Sequence, residues 1–261
     1  EPGNAEKFDA FVAAHPKGHV LQSWNWGQVK RPAWQPLRLV AEKAGQICGA
    51  VLLLQRQLPA GLGQIFYSPR GPVLDIADEA LWQQLVAEVG RLAKERGAIY
   101  WKIDPDVDID APEAAVWHER LKQAGFAIVD KGEGFEGIQP RFVFRLDIAP
   151  EVETLLANCH QKTRYNIRLA GRKGVEIVSG AGRDCLPEFY RILTTTATRD
   201  HFLIRPYSYF EGFTTACTRL ARRSFLWPTM RARLLPARWL FVWVIRPGIF
   251  TGPAPILTEI S

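Results

Sequence analysis

Asp104 closes an apolar run, Ala98 to Ile103, and is followed by Pro105. A carboxylate at the end of a buried strand is placed to take a proton or to orient a donor. Asp106, Asp108 and Asp110 alternate after it. A calcium loop needs Gly at its sixth position and a carboxylate at its twelfth; counted from Asp104 these are Ile109 and Ala115, so the last three acids read as a solvated loop. The segment from His160 to Lys173 carries Lys162, Arg164, Arg168 and Arg172 with no acid between them. A charged stripe is usually a solvated helix face, but an uncompensated one beside Tyr165 suits RNA or a polyphosphate. Arg205 precedes Pro206 and an expected helix start, where an arginine can fork onto phosphate or carboxylate with Tyr209 four residues on. Lys30 follows Trp24 and Trp26 in the same way, although core packing alone accounts for the tryptophans. Gly132 to Gly137 spells G-x-G-x-x-G, but a strand is expected after it and Glu133 and Glu136 would repel phosphate, so it reads as a loop.

The elements that must hold these residues follow from periodicity and punctuation. Asn4 can cap a helix carrying Phe8, Phe11 and Val12, and Ser23 a short one from Trp24 to Lys30. Strands are expected over Leu37–Glu42, Ile47–Leu54 and Ile65–Tyr67, with Pro69, Gly71 and Pro72 forcing a turn. Residues 78–96 repeat apolar positions at helical spacing and stop at Gly97. Ala98–Ile103 is a strand, Glu113–Ala124 a helix, and Phe126–Val129 and Phe142–Ile148 are strands. The order is α/β with a mixed sheet, compatible with an acetyltransferase-like fold. A second unit opens at Ala149-Pro150 with helices over Glu151–Asn158, Gln161–Arg172, Leu186–Thr198 and Tyr207–Arg222 and a strand over Gly174–Ser179. On the cationic helix Thr163, Ile167 and Ala170 are expected to face inward.

The 261 residues, 47% hydrophobic and 23% charged, suit one large or two smaller globular domains. A net charge of +6 fits anionic partners without naming one. Four separated cysteines, Cys48, Cys159, Cys185 and Cys217, support neither a disulfide framework nor a zinc site. The acidic, polar N-terminus is not a signal peptide, and Trp239–Ile245 is too short to cross a bilayer, so a cytoplasmic location is expected.

Five segments occur in an order that resembles the FemABX aminoacyltransferases: Leu21-Gln22-Ser23-Trp24, Tyr67-Ser68-Pro69-Arg70-Gly71-Pro72, Lys102-Ile103-Asp104-Pro105, His160 to Arg168, and Phe202 to Phe210. The resemblance spans roughly residues 8–222. It implies tandem acetyltransferase-like (GNAT-type) units, 1–147 and 148–222, and transfer of an amino acid from aminoacyl-tRNA to the stem peptide of a peptidoglycan precursor, forming the interpeptide bridge. The acceptor is a UDP-muramyl-peptide or its lipid-linked form. By the same resemblance Lys30, Arg70, Arg205 and Tyr209 bind the precursor, Lys30 and the Arg205–Tyr209 pair on its diphosphate. Asp104 sits where a catalytic acid has been discussed, and Lys162, Arg164, Arg168 and Arg172 would meet the tRNA. No cofactor, metal or acetyl-CoA is implied; the expected state is a monomer working close to the membrane.

Past Arg222 the resemblance stops and the composition changes: Glu259 is the single acid after Arg223, and Trp, Arg and Pro crowd together. Back-translated and read from the third base of each codon, Phe250 to Leu257 permits YGASSNL, where the resemblance leads one to expect a motif like WYLYGASSN. Residues 223–261 therefore read as a frame-shifted tail, which implies an incomplete second unit and a chain inactive through truncation. Two alternatives stay open: a degraded, non-catalytic copy that binds cell-wall nucleotide or tRNA, or an acyltransferase of the same superfamily acting on exopolysaccharide or protein. The gene sequence across codons 215–230 is expected to contain a one- or two-base slip whose repair restores the family's reading frame downstream; a downstream frame without that motif would refute the slip.

Overall fold

The computed structural model describes residues 2–127, 139, 146–180, 182–218, 225–230, 233–234, 241–242 and 256–257. The Gly132–Gly137 loop, most of the strands expected at 126–129 and 142–148, the helix end at 219–222 and most of the tail lie outside the described residues. The chain divides into two compact units, the first ending at Phe142 and the second starting at Val143.

The first unit opens with α1 (Pro2–Ala14), a 3-10 turn at Val20–Gln22, and α2 (Trp24–Lys30). Ser23 caps α2, its hydroxyl accepting from the Trp26 N–H. Asp9 of α1 reinforces that start by accepting from the Trp24 N–H at 2.6 Å and from Asn25 Nδ2 at 3.1 Å. Strands β1 (Gln35–Lys43), β2 (Gln46–Gln57), β3 (Gln64–Arg70) and β4 (Val73–Leu74) follow. Then come α3 (Glu79–Arg96), β5 (Ala98–Pro105) and α4 (Ala114–Gln123). The sheet runs β1-β2-β3-β5 with β4 also paired to β2; β3 and β5 are parallel and the other pairs antiparallel. A parallel pair needs a crossover, and α3 is that crossover. Asp78 caps it by accepting from the Leu81 N–H, and Gly97 ends it in the left-handed region at φ 67°.

Strand β2 is buried on both faces, which explains its continuous apolar run. Val51 and Leu53 join Phe66, Leu81, Trp82, Leu85, Val89 and Trp117 in the main core beneath α3 and α4. The alternate residues Leu52 and Leu54 join Tyr67 on the opposite face, with Trp26 and Trp34 packed against them. One expectation is corrected: Pro69 does not end the third strand. β3 continues to Arg70, and Pro69 lies opposite Asp104 in the parallel register.

In the second unit α5 (Val152–Asn158) and α6 (Gln161–Arg172) lead into β6 (Val175–Gly180). Helices α7 (Gly182–Asp200) and α8 (Tyr207–Thr218) follow. Leu186 and Phe189 of α7 are buried with Tyr190 and Leu193 against Tyr207 and Phe210 of α8. The α7 stripe thus packs on the first turn of α8. β7 (Phe225–Met230) pairs antiparallel with β6 over its whole length, and β8 (Arg233–Leu234) pairs with Thr229 and Met230. In the β6–β7 pairing Pro228 lies opposite Ile177. Short strands β9 (Phe241–Val242) and β10 (Ile256–Leu257) pair with each other.

Replacing Leu53, fully buried in the main core, by alanine is expected to lower stability by about 2–5 kcal/mol, through lost apolar contact and a residual cavity. Val40→Ala, at a side chain 45% exposed on β1, is expected to stay within about 0.5 kcal/mol. Urea unfolding curves of the two variants check both values.

Candidate functional site

Strands β3 and β5 end side by side, and the C-terminal ends of parallel strands are where open α/β sheets place their ligands. Asp104 sits at that end of β5. Its Oδ2 accepts from the Tyr67 hydroxyl at 2.8 Å and its Oδ1 from the backbone N–H of Arg70 at 2.6 Å. Gln139 Nε2 donates to the Tyr67 oxygen at 3.1 Å, so the phenol accepts from one side and donates on the other. Arg70 has φ 52°, a conformation an L-residue holds where its surroundings over-determine it. Besides the bond to Asp104, its Nη1 lies 3.4 Å from Asp106 Oδ1.

Burial pushes the Asp104 carboxyl above its ordinary range; the Arg70 N–H and the Tyr67 hydroxyl oppose that, followed by the charges of Arg70 and Lys102. Burial also raises the Tyr67 phenol, with Asp104 adding to the effect and the Gln139 bond opposing it. Tyr67 therefore stays protonated and remains a donor. A half-buried carboxylate with its proton affinity raised, and with both oxygens oriented, has the features of a candidate proton acceptor.

The aromatic face of the sheet extends this site. The Trp34 ring lies 6.2 Å from that of Tyr67, and the Arg56 guanidinium lies 5.5 Å over Trp34. A cleft of about 510 Å³ opens there, lined by Arg31, Trp34, Gln55, Arg56 and Gln64 among others. Lys30 stands at the end of α2 with Nζ 4.6 Å over the ring of Trp26, which packs on the same apolar cluster as Tyr67. The structure thus brings Asp104 and Arg70 into one hydrogen-bonded group and sets Lys30 on the sheet face that carries Tyr67. Sequence reasoning singled out Arg70 but passed over Tyr67, three residues before it in the same segment, because a tyrosine in a strand reads first as core.

In the second unit Arg205 and Tyr209 come together across the start of α8, the guanidinium 5.8 Å from the ring. The Tyr190 hydroxyl donates to the Arg205 carbonyl at 3.3 Å, which ties the approach to α8 back onto α7. On α6 the expected facing is corrected. Ile167 is 48% exposed, Thr163 is exposed, and Leu169 and Ala170 are half-buried. Arg164 turns inward: Nη1 donates to the Ala157 carbonyl at 2.8 Å and to the Cys159 carbonyl, closing the end of α5. Lys162, Arg168 and Arg172 are exposed, with Arg172 5.9 Å from the Tyr165 ring. Among the described residues no group of three or more His, Cys, Asp or Glu side chains is placed to hold a metal ion, and no helix is long and apolar enough to cross a membrane.

A family model described as the FemAB family matches residues 4–221. The chain belongs to the FemAB family. It is 34% identical over 210 residues to a lipid II:glycine glycyltransferase of Staphylococcus haemolyticus (strain JCSC1435), covering 79% of this chain and 49% of that protein. A lipid II:glycine glycyltransferase of Staphylococcus aureus (strain bovine RF122 / ET3-1) is 32% identical over the same coverage. The crystal structure of FemX superposes with a TM-score of 0.78 at 29% identity, over 87% of this chain and 56% of that one. The fold is therefore that of tandem acetyltransferase-like units, with a mixed sheet in the first. The chain spans about half the length of the curated relatives it matches.

Tyr67→Phe removes a donor that stabilises the Asp104 carboxylate, so the Asp104 midpoint is expected to move further upward. Carbon-13 NMR titration of aspartate-labelled protein checks this; a downward or absent shift would show that the Tyr67 bond does not govern the carboxylate.

Proposed function

We propose that this FemAB chain derives from a transferase that moves an amino acid from aminoacyl-tRNA onto the stem peptide of a peptidoglycan precursor, extending the interpeptide bridge. The observation that carries the reading is the oriented, proton-hungry Asp104 carboxylate at the strand ends, in a chain whose relatives are lipid II:glycine glycyltransferases. The reaction is aminolysis of an ester. A neutral amine of the stem peptide attacks the acyl carbon, the C–O bond to the ribose breaks, and the proton shed by the amine ends on the departing ribose oxygen. In this reading Asp104 is the group that relays that proton. Charge developing on the carbonyl oxygen needs a donor or cation to meet it. No covalent intermediate on the protein is required.

The binding roles are divided by charge and exposure. Lys30 and the Arg205–Tyr209 pair hold the diphosphate of the UDP-muramyl-peptide or lipid-linked precursor, and Arg70 contacts the same substrate. Lys162, Arg168 and Arg172 meet the tRNA backbone from the exposed face of α6. Arg164 contributes to that surface through its hold on α5. The reading includes residues 223–261 as a frame-shifted replacement for the family's own continuation, so the activity is expected of the frame-restored protein, as a cytoplasmic monomer.

With aminoacyl-tRNA and a UDP-muramyl-peptide, the frame-restored protein is expected to form the extended peptide. Arg205→Ala should weaken precursor binding by roughly tenfold or more, since a charge-assisted contact to phosphate is worth about 1.5–3 kcal/mol. Calorimetry showing unchanged affinity would remove Arg205 from the site, and absence of transfer with native-like binding would refute the transferase reading.

A further inference from the structure

The ladder between β2 and β3 runs from Gln57 and Gln64 to Leu54 and Tyr67 and stops there. Two residues further on, the register would set Leu52 opposite Pro69, and a proline has no N–H to offer. The side chain of Gln22 occupies that place. Its Oε1 accepts from the Leu52 N–H at 2.8 Å, and its Nε2 donates to the Pro69 carbonyl at 2.8 Å and, at a longer 3.5 Å, to the Leu52 carbonyl. One carboxamide thus serves as a peptide group set between the two strands. Gln22 is fully buried, at the end of the 3-10 turn that leads into α2. Gly71 lies against the same amide: a Cβ there would overlap its Cδ, Nε2 and Oε1. From the β5 side, Trp101 Nε1 donates to Ser68 Oγ at 3.0 Å.

The end of β3 after Tyr67 is therefore held residue by residue: Ser68 from Trp101, Pro69 from Gln22, and Arg70 from Asp104. We propose that Gln22 is a positioning residue, its carboxamide bridging the Leu52 N–H to the Pro69 carbonyl where the direct ladder stops, and so aiming the Arg70 N–H at Asp104. The same residue adjoins Ser23, the cap of α2, so one buried amide sets both the strand end that orients Asp104 and the helix that presents Lys30. This gives the Leu21-Gln22-Ser23-Trp24 segment a role beyond packing. Its bearing on catalysis rests on the transferase reading above, but the geometry it sets does not, and the test below reads the geometry without turnover.

NMR on the 261-residue chain, labelled for aspartate carboxyl and backbone amide observation, compares wild type with Gln22→Met, which keeps the bulk and loses the amide. The expected result is a folded variant in which the Arg70 amide exchanges about tenfold faster, as loss of one constrained hydrogen bond implies, and in which the Asp104 midpoint moves upward. A merely structural role would lower stability and leave both signals in place; a folded Gln22→Met with both unchanged overturns the proposal. Gly71→Ala, which crowds the amide from the other side, is expected to displace the same two signals. In the unmodified chain the Gln22 Nε2 protons should shift with the same midpoint as the Arg70 amide when Asp104 titrates. A Gln22 signal that does not follow overturns the proposal even where neither variant folds.

Discussion

A carboxyl group taken largely out of water must be met by donors or it takes up a proton. Asp104 is met by two, and both come from β3: a hydroxyl at Tyr67 and a backbone N–H at Arg70. That requirement reaches far back into the chain. Both donors exist at the right place only because β3 and β5 run parallel and in register past Pro69. A parallel pair in turn requires α3 as a crossover, which must be capped at Asp78 and released at Gly97 for β5 to start on time. The apolar layer under α3, with Trp82 edge-on to Trp117 at 5.8 Å, is what fixes that helix on the sheet.

The two faces of β2 divide the labour. Val51 and Leu53 serve the main core, whereas Leu52 and Leu54 support an aromatic layer of Trp26, Trp34 and Tyr67. This second layer is half-wet and carries cations: Lys30 on Trp26, Arg56 on Trp34, and Arg38 3.9 Å over Trp24. Arg38 shows the cost of such an arrangement, since burial lowers its guanidinium to about 10 in spite of Asp9 nearby. Cations stacked on rings at the edge of an apolar layer suit a ligand that is anionic and partly planar, and they lie on the face from which Tyr67 reaches Asp104.

Much of this was legible in the sequence, for physical reasons that differ by element. Helix α3 shows itself because its apolar period, its Asp cap and its Gly stop agree, and α6 because its charges are confined to one run. The α/β order, Asp104 at a strand end, and Arg205 with Tyr209 at a helix start all follow from local pattern. The continuation of β3 was hidden because Pro69 normally argues against a strand. What permits it is a side chain 47 residues earlier, a non-local compensation that no window of sequence contains. The facing of α6 was misread at Thr163 and Ile167, which are exposed, while Arg164, to which no face had been assigned, donates to backbone carbonyls at the end of α5. The partner of the α7 stripe lies just downstream in α8, where Tyr207 and Phe210 pack on it.

A transferase of this kind, as proposed, would need no nucleophile of its own, because both reacting groups arrive on substrates. What the protein must then supply is orientation and a place for one proton, and orientation depends on rigid second partners. Asp104 is oriented by Tyr67, Tyr67 by Gln139 and Trp34, and Arg70 by a strand end against which Gln22 and Gly71 pack. Each partner also excludes water from the next, which is what keeps the carboxyl's proton affinity high while its two bonds keep it in line. Two donors hold the Asp104 carboxyl in one orientation while burial raises its proton affinity.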